Sequence, residues 1–308
     1  MYVIFGANGP VGRASIAALR HAGQAVRAVM RDGRDVRQRE SFEQDGCDVA
    51  FADLRDAHAI GAALQGATAV QMLCPVPHDD PHPARTMRET LAAAAEALSR
   101  HPPKILLALS DYGAELEHGS GITLLFHELE ASLKPLAGLH THLILLRAAE
   151  HMHNWARIMP AAIAMNRLPS LHHPLTKRFP TVAAQDVGGL AAELMMAPRD
   201  ACSLRIVSVE GPRRVDAHDV AHALGAALGR SIHALELPRD TWTATLRQAG
   251  LSDEHTQLIV DLYDAHNAGR IDIEHGATER YFGTTDLADV FAALVPHVAH
   301  DAPAQPTR

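Results

Sequence analysis

Short runs of apolar residues alternate with longer amphipathic segments along the first half of the chain. The runs have the length of strands, and the segments repeat apolar positions every three or four residues as helices do. The predicted strands are 2–5, 25–30, 49–52, 67–73, 105–109 and 143–146, and the predicted helices are 11–22, 36–45, 57–64, 84–99 and 123–133. Strands that alternate with helices form a parallel sheet with helices on both faces. The pattern therefore predicts an α/β fold with a doubly wound parallel sheet.

The alternation stops after 147, and a region of different character follows. Prolines and histidines cluster in 151–175, which predicts a helix followed by a loop. A helix over 186–196 and an apolar run over 204–209 are expected to return to the sheet, the run as a seventh strand. Further helical patterns cover 217–228, 241–248, 254–266 and 286–294. We therefore predict a sheet domain over 1–150, a smaller and mostly helical region over 151–300 in which 186–211 rejoins the sheet, and a frayed tail over 301–308.

Composition and charge exclude several classes of partner. The chain has 308 residues, of which 47% are hydrophobic and 21% charged, close to the globular average. No apolar run approaches the roughly 20 residues needed to cross a bilayer. The formal net charge of −8 disfavours a nucleic-acid surface, because binding a duplex requires a basic face. We therefore expect neither a membrane nor nucleic acid as a direct partner.

Cysteines and histidines give no sign of a disulfide framework or a metal site. Cys47, Cys74 and Cys202 are far apart and have no metal-ligand spacing. The 21 histidines include close sets such as His151 with His153, but these lack nearby cysteines or an HExxH pattern. We interpret most of them as surface residues. The sparse cysteines, and an N-terminus without the features of a signal peptide, predict a cytoplasmic protein.

A glycine-rich segment follows the first predicted strand and opens the first helix. Gly6 permits a tight turn, Gly9 lets the backbone approach a pyrophosphate, and Gly12 lets the helix pack closely on the strand. The free N–H groups at a helix N-terminus favour a phosphate. The segment predicts a Rossmann-type dinucleotide site formed by Gly6, Asn8, Gly9, Pro10, Val11 and Gly12. The alternative is a turn that needs glycine for its geometry alone.

An arginine stands where an NAD site carries an acidic ribose ligand. The second strand ends in Met30, Arg31 and Asp32. A guanidinium at position 31 can pair with a 2′-phosphate through charge-assisted hydrogen bonds, and Arg13 in the first helical turn adds a second positive charge. The sequence therefore predicts NADP(H), with NADPH preferred to NADH. The alternative is a solvated Arg31 with Asp32 as the ribose ligand.

The ends of the third and fourth predicted strands supply further candidate contacts. Asp53 can accept a hydrogen bond from the adenine amino group while Leu54 packs on the ring, although an Asp before a helix is also a typical N-cap. Cys74 and Pro75 should line the cofactor cleft, because ligands bind outside the carboxyl ends of the strands. Nothing nearby in the sequence lowers the pKa of the Cys74 thiol, so we expect no redox role.

These segments together resemble the NmrA-like family of atypical short-chain dehydrogenases, which includes type-2 quinone oxidoreductases and redox-sensing regulators. The likeness covers most of the chain. It rests on 6–12, 26–31, 52–56, 145–147 with Asn154, 179–188, 209–212 and 226–230. The resemblance implies an NAD(P)-binding Rossmann domain and a substrate cleft between it and the C-terminal part, near 147–154.

The sequence departs from the wider superfamily in its catalytic residues. Reductases of that superfamily carry Tyr-x-x-x-Lys on the helix after the fifth strand, whereas this helix has Thr123 and His127 at that spacing. Histidine is a side chain suited to proton transfer near neutral pH, so we predict that His127 contacts the cofactor ribose or the substrate, or relays a proton. Ser110 ends the fifth strand, where a catalytic serine would stand. Tyr112 is a weaker candidate for the proton donor, on the connecting loop.

Two functions of different class remain open. The leading hypothesis is an NADPH-dependent reductase of a quinone or similar flat carbonyl, for which solvent can protonate the product. A long C-terminal region that can wall a small-molecule pocket favours it. The alternative is a protein that binds NADP(H) without turnover and reports redox state to a protein partner, which the missing Tyr and Lys favour. In either case Glu128 and Glu130 are interpreted as a solvated helix face.

Overall fold

The computed structural model describes residues 1–77, 79–138, 140–197, 203–274, 276 and 279–301. Cys202 and the predicted tail beyond 301 lie outside these residues. The strands are β1 (Tyr2–Phe5), β2 (Val26–Met30), β3 (Asp48–Phe51), β4 (Ala69–Met72), β5 (Ile105–Asp111), β6 (His142–Ala148), β7 (Glu150–His151), β8 (Arg167–Ser170), β9 (Thr181–Val182), β10 (Leu204–Glu210), β11 (His233–Glu236) and β12 (Glu279–Phe282).

Helices connect most of these strands. The α-helices are α1 (Pro10–His21), α2 (Val36–Gln44), α3 (Ala57–Ala63), α4 (Pro83–Arg100), α5 (Thr123–Leu133), α6 (Met159–Met165), α7 (Ala184–Met196), α8 (Ala217–Leu228), α9 (Trp242–Gln248), α10 (Asp253–Asn267) and α11 (Leu287–Asp301). Short 3-10 helices span Lys134–Leu136, Met152–Arg157 and Arg239–Thr241.

Among the described residues, eight strands form one sheet in the order β12-β10-β6-β5-β4-β1-β2-β3. All of its neighbouring pairs are parallel, so every carboxyl end lies at the same edge. The chain runs outward from β1 through β2 to β3, then returns to β4 on the other side of β1. That reversal is the topological switch point at which ligands bind in doubly wound sheets. The predicted fold class is therefore confirmed.

Side chains of the central strands alternate between two apolar layers. In β1, Val3 packs with Ile60 of α3 and Leu91 of α4, whereas Ile4 packs on the opposite face with Ile16 of α1 and Val187 of α7. Because both faces are covered, β4 and β6 are buried throughout and β5 is buried up to its last residue, and all three appear in the sequence as nearly continuous apolar runs. A third apolar cluster lies in the C-terminal region, around Trp155, Leu224 and Phe291.

The C-terminal region contains strands that the sequence did not predict. β7 pairs with β9 and β8 with β11, in two small parallel sheets. β12 joins the large sheet at its edge, beside β10, which in turn pairs with β6. These additional strands have two to four residues each, too few for an alternating pattern to stand out. The helix followed by a loop that the sequence predicts over 151–175 is corrected accordingly: helices are present, but β7 and β8 lie in the same segment.

Helix α7 packs directly on α1 through a glycine. A Cβ built at Gly188 would lie 2.5 Å from the Cβ of Ala14, 2.6 Å from the carbonyl oxygen of Val11 and 2.8 Å from the amide of Ser15. The two backbones can approach this closely only because Gly188 has no side chain. This contact holds α1 against the sheet.

A buried ion pair joins β6 to α5. Arg147, only 3% exposed, donates from Nε and Nη2 to the two carboxylate oxygens of Glu130 at 2.7 and 2.8 Å. Its Nη1 also donates to Glu115 at 3.0 Å and to Glu274 at 2.6 Å. Burial alone would raise the pKa of Glu130, but the hydrogen bonds and charge of Arg147 outweigh it and lower that pKa. The pair is therefore bidentate and satisfied on both sides.

The position of Glu130 corrects the predicted solvated helix face. Its side chain is fully buried, whereas Glu128, two residues earlier, pairs at the surface with Arg88 at 2.8 Å. Residues two apart on a helix point in nearly opposite directions, so the two carboxylates cannot share one face.

Gly188→Ala should lower the free energy of unfolding by about 1–3 kcal/mol, because the added Cβ has no room between α7 and α1. Gly189→Ala is the matched control: nothing lies within 4 Å of a Cβ there, so the better helix former should be neutral or stabilising. Urea denaturation of both variants measures the difference. Equal stability of the two would contradict the close packing described.

Glu130→Gln should cost about 3–5 kcal/mol of stability at pH 7, because it leaves a buried guanidinium short of a charged partner. Glu128→Gln, in a surface pair on the same helix, should cost less than about 1 kcal/mol. Because the folded-state pKa of Glu130 is lowered, its stabilisation is present above the ordinary pKa of 4.5 and is lost as the pH falls through the lower value. Denaturation at several pH values checks this. A loss that does not shrink in acid would count against the ion pair.

Candidate functional site

The glycine turn between β1 and α1 lies at the switch point of the sheet. Gly6 has a φ of +72°, in the left-handed region that favours glycine. A Cβ at Gly12 would overlap the carbonyl of Gly6, so the helix can start here only with glycine. At Gly9 a Cβ would meet only the Gly6 carbonyl oxygen at 3.4 Å, an ordinary contact. The fold therefore requires Gly6 and Gly12, but leaves the space beside Gly9 open.

The N-terminus of α1 opens toward that space. Gly9 is the N-cap and Pro10 the first helical residue, and no side chain caps the helix. Asn8 and Pro10 are exposed, whereas the side chain of Val11 is buried. An uncapped first turn leaves backbone N–H groups free to bind an anion.

Arg31 follows β2 directly and is exposed. Within the described residues it has no hydrogen bond or ion pair. Asp32, the alternative ribose ligand, instead accepts a hydrogen bond from the backbone N–H of Arg34 at 3.0 Å. Its carboxylate also pairs with the guanidinium of Arg34 at 3.5 Å. The guanidinium of Arg31 is thus the unengaged group at the end of β2.

The carboxylate of Asp53, just beyond β3, is engaged by a neighbour. It accepts hydrogen bonds from the backbone N–H of Arg55 at 2.9 Å and from its guanidinium at 2.9 and 3.2 Å. These bonds lower the pKa of Asp53, and the charge of Arg31 contributes to the shift. Asp53 is not the N-cap of α3, because Asp56 accepts from the backbone N–H of His58 at 2.8 Å. Leu54 is partly buried beside it.

Cys74 differs from its predicted role. Its side chain is 1% exposed and packs in the apolar layer that contains Val3, and burial raises the pKa of its thiol to about 12. The thiol therefore does not line a cleft, and only the backbone at 74 and the exposed Pro75 reach the sheet edge.

The two predicted hydroxyl groups near the end of β5 both point into the protein. Ser110 lies opposite Arg147 in the sheet register and donates to Glu130 at 2.7 Å. Tyr112 is 2% exposed, with its hydroxyl 3.4 Å from Glu210, and burial followed by the charge of Glu210 raises the pKa of the phenol. Both residues lie where the sequence predicts, Ser110 near the end of β5 and Tyr112 on the connecting loop, but both side chains are buried. Ser110 thus supports the ion pair, and neither hydroxyl group is exposed.

The helix pair Thr123 and His127 lies beside the end of β5. His127 is partly buried, and its Nδ1 is 2.9 Å from the carbonyl oxygen of Ala114. Because a carbonyl only accepts, Nδ1 carries the proton and Nε2 of the neutral ring is an acceptor. Thr123 is fully buried and donates to Asp111 at 2.9 Å.

Asp111 is a candidate that the sequence analysis missed. It is the last residue of β5, partly exposed at the carboxyl edge. Burial raises the pKa of Asp111 to about 7, hydrogen bonds from Thr123 and Tyr112 oppose the shift, and the charges of Glu150 and Glu115 add to it. No described Lys, Arg or His pairs with it. An acidic residue that ends an apolar strand is the signal that could have identified it.

A polar and aromatic cluster adjoins this carboxylate. Glu150, just after β6, accepts from Nε2 of His172 at 3.0 Å. The ring of His172 stacks on Phe179 with centroids 3.5 Å apart and meets Tyr263 of α10 edge-on at 4.9 Å. Burial raises the pKa of Glu150, but the charge and hydrogen bond of His172, followed by His266, lower it overall. Residues from four separate segments form this cluster, so no local sequence pattern reveals it.

Two more histidines lie between β6 and the glycine turn. Burial lowers the pKa of His151 to about 4. Burial also lowers the pKa of His153, and the charge of Arg13 in the first turn of α1 adds to that shift. The segment after β6 therefore lies beside the N-terminus of α1. Exposed histidines such as His21, His58 and His118 fit the interpretation of most histidines as surface residues, whereas His172 is a buried exception.

The described part of the chain has a surface groove, but no candidate metal site or membrane-spanning helix. In that part, no group of three His, Cys, Asp or Glu side chains is arranged to hold a metal ion. No helix there has the length and apolar character needed to cross a membrane. A surface groove of about 810 Å³ lies between α8 and β11, lined by residues such as His218, His222 and Arg230.

Known proteins match this chain in sequence and in fold. The sequence profile of the NmrA-like family matches residues 2–97. No curated protein sequence matches significantly.

The structural similarity extends over nearly the whole chain. A nucleoside-diphosphate-sugar epimerase from Staphylococcus aureus matches with a TM-score of 0.75 at 14% identity, covering 94% of this chain and 99% of that one. The NADPH-dependent quinone oxidoreductase QOR2 of Escherichia coli, complexed with NADPH, matches with a TM-score of 0.73 at 20% identity, covering 96% and 99%. Triphenylmethane reductase of Citrobacter sp., complexed with NADP(H), matches with a TM-score of 0.70 at 16% identity, covering 90% and 93%.

At these identities the structural matches establish the fold and not the chemistry. The family match is a similarity in sequence, and the matched residues include the glycine turn, Arg31 and Asp53. The resemblance predicted from the sequence is thereby confirmed: residues 2–97 match the NmrA-like family, and the fold of the whole chain is similar to the structures named above.

Proposed function

We propose that this protein is an NADPH-dependent reductase of a quinone or a similar carbonyl compound. The observation that carries the proposal is the open space beside Gly9, at the uncapped N-terminus of α1 and on the switch point of the sheet. Triphenylmethane reductase and QOR2, which share this fold, are both described in complex with NADP(H) or NADPH.

The residues of the glycine turn fit a dinucleotide. The backbone at Gly6, Asn8, Gly9, Pro10, Val11 and Gly12 would hold the pyrophosphate, because it offers N–H groups and no obstructing side chain. Arg31 would pair with the 2′-phosphate, with Arg13 as a second positive charge. Leu54 would pack on the adenine ring, and Pro75 would line the centre of the crevice. Asp53 would accept a hydrogen bond from the adenine amino group while it keeps its bonds to Arg55. NADPH, when bound, supplies the hydride.

The carboxyl ends of β5 and β6 would receive the nicotinamide and the substrate. His127 would accept a hydrogen bond from the nicotinamide ribose through Nε2, since Nδ1 is bonded to Ala114. Asp111 and Glu150, which are partly exposed at the ends of these strands, would line the side of the crevice that receives a carbonyl compound. Ser110 and Tyr112 would support this site from within the protein instead of contacting the substrate.

NADPH oxidation measured across a panel of quinones and aldehydes tests this function. Oxidation that depends on an acceptor supports the reductase. Tight NADPH binding without oxidation by any acceptor would contradict it, and would favour a protein that binds NADP(H) and reports redox state to a protein partner.

Gly9→Val should abolish binding of NADPH and NADH, because the side chain would occupy the space that a pyrophosphate must enter. The fold should tolerate the change, since Gly9 has an extended backbone (φ −73°, ψ 159°) that a β-branched residue adopts readily. Titration by protein fluorescence measures binding, and thermal unfolding checks the fold.

The control is Gly189→Val, a second glycine with open space around it but on α7, where binding should persist. Micromolar NADPH affinity in a folded Gly9→Val variant would place the cofactor elsewhere.

Arg31→Ala should weaken NADPH binding about 10- to 100-fold and leave NADH binding nearly unchanged, because a hydrogen bond to a charged group contributes about 1.5–3 kcal/mol. Arg100→Ala is the control, because it removes the same charge at the end of α4, near the amino end of β5 and away from the crevice. It should change neither affinity by more than about twofold. Wild-type protein that binds NADH as tightly as NADPH would contradict the role of Arg31.

A further inference from the structure

Three hydroxyl groups near the end of β5 are engaged inside the protein. The hydroxyl of Ser110 is bonded to Glu130, that of Tyr112 lies against Glu210, and that of Thr123 is bonded to Asp111. Of these residues only Asp111 is partly exposed, at the carboxyl end of β5 where the crevice lies. Asp111 is therefore a carboxyl group that a reduced carbonyl oxygen in this crevice can meet.

The charged side chains near Asp111 are acidic, and no described basic side chain pairs with it. Thr123 approaches it from α5, Glu115 from the connecting loop and Glu150 from the segment after β6. The guanidinium of Arg147, on the neighbouring strand β6, is already bonded to Glu130, Glu115 and Glu274. The described part of the chain therefore supplies no ion pair to Asp111.

These surroundings keep a proton on the carboxyl group. Burial and the charges of Glu150 and Glu115 raise the pKa of Asp111 to about 7 from an ordinary 3.8. Near neutral pH a large fraction of Asp111 is therefore protonated, which an ordinary aspartate is not. A general acid functions best when its pKa lies near the working pH.

We propose that Asp111 is the general acid of the reduction and that Thr123 positions its carboxyl group. The inference rests on the proposed function. The carbonyl carbon of the substrate gains a C–H bond from the hydride that NADPH supplies, and the π electrons of the C=O bond move to its oxygen. The O–H bond of Asp111 breaks and its proton passes to that oxygen. The product carries a hydroxyl group, and the Asp111 carboxylate regains a proton from water.

The first test measures the titration of Asp111 without turnover, by carbon-13 NMR of the aspartate carboxyl groups, assigned by its loss in Asp111→Asn. We expect a midpoint near pH 7 in the wild type. Thr123→Val removes a hydrogen bond to the carboxylate and should move the midpoint upward. Glu115→Gln removes a nearby negative charge and should move it downward. A wild-type midpoint near 4 would overturn the proposal.

The second test measures kcat against pH with an acceptor that the wild type reduces. We expect the wild-type kcat to fall above about pH 7, as the acid loses its proton. Asp111→Asn should lower kcat at pH 6 by about 10²- to 10⁴-fold, and the two profiles should converge at high pH. Thr123→Val should move the alkaline limb of the kcat profile to higher pH, and Glu115→Gln should move it to lower pH, each in the direction of its NMR midpoint. Glu117→Gln, an exposed acid on the same loop, should match the wild type.

The outcomes separate this proposal from the proposed function. No NADPH oxidation by the wild type with any acceptor would overturn the reductase itself, and the role of Asp111 with it. Wild-type turnover with an unchanged pH profile in folded Asp111→Asn would overturn only the assignment of Asp111. If Asp111→Asn fails to fold, the shifts in Thr123→Val and Glu115→Gln decide, because the proposal requires the NMR midpoint and the kinetic limb to move together.

Discussion

The carbonyl of Gly6 lies directly against Gly12, where a Cβ of any other residue would overlap it. Because of this contact the first helix starts within one turn of the strand end and aims its uncapped N-terminus at the switch point of the sheet. The same helix receives α7 through Gly188, and its Arg13 lies near His153 after β6. The position of the candidate cofactor site and the packing on this face of the sheet thus depend on one close backbone approach.

On the other side of the crevice, burial of charge determines which groups remain available. An arginine in the middle of a buried sheet is tolerable only when it is fully paired, and Arg147 takes up Glu130, Glu115 and Glu274 to achieve this. Ser110 is drawn into the same network. In the part of the chain that the structure describes, Asp111, one residue further along β5, lies near acids and has no cationic partner. The chemistry that we assign to Asp111 therefore follows from the pairing of its neighbours.

The sequence predicts the parts of the molecule that depend on local pattern. The β/α alternation, the turn from Gly6 to Gly12 and the position of Arg31 after β2 depend on periodicity and on residue types within a few positions. The short strands such as β12 carry too few residues to show a period. Contacts between distant segments, such as His172 with Glu150 and Arg147 with Glu130, depend on the tertiary fold. The helical spacing of Glu128 and Glu130 was a usable signal, because it excludes a common solvated face.

In the proposed complex NADPH lies across the switch point, with its pyrophosphate on the glycine turn and its nicotinamide at the end of β5. A crystal structure of the protein with bound NADPH would show this binding mode. We expect phosphate oxygens within hydrogen-bond distance of the backbone N–H groups of the glycine turn, the 2′-phosphate on Arg31, and the nicotinamide beside Asp111. A dinucleotide bound elsewhere, or one whose nicotinamide lies away from the ends of β5 and β6, would contradict it.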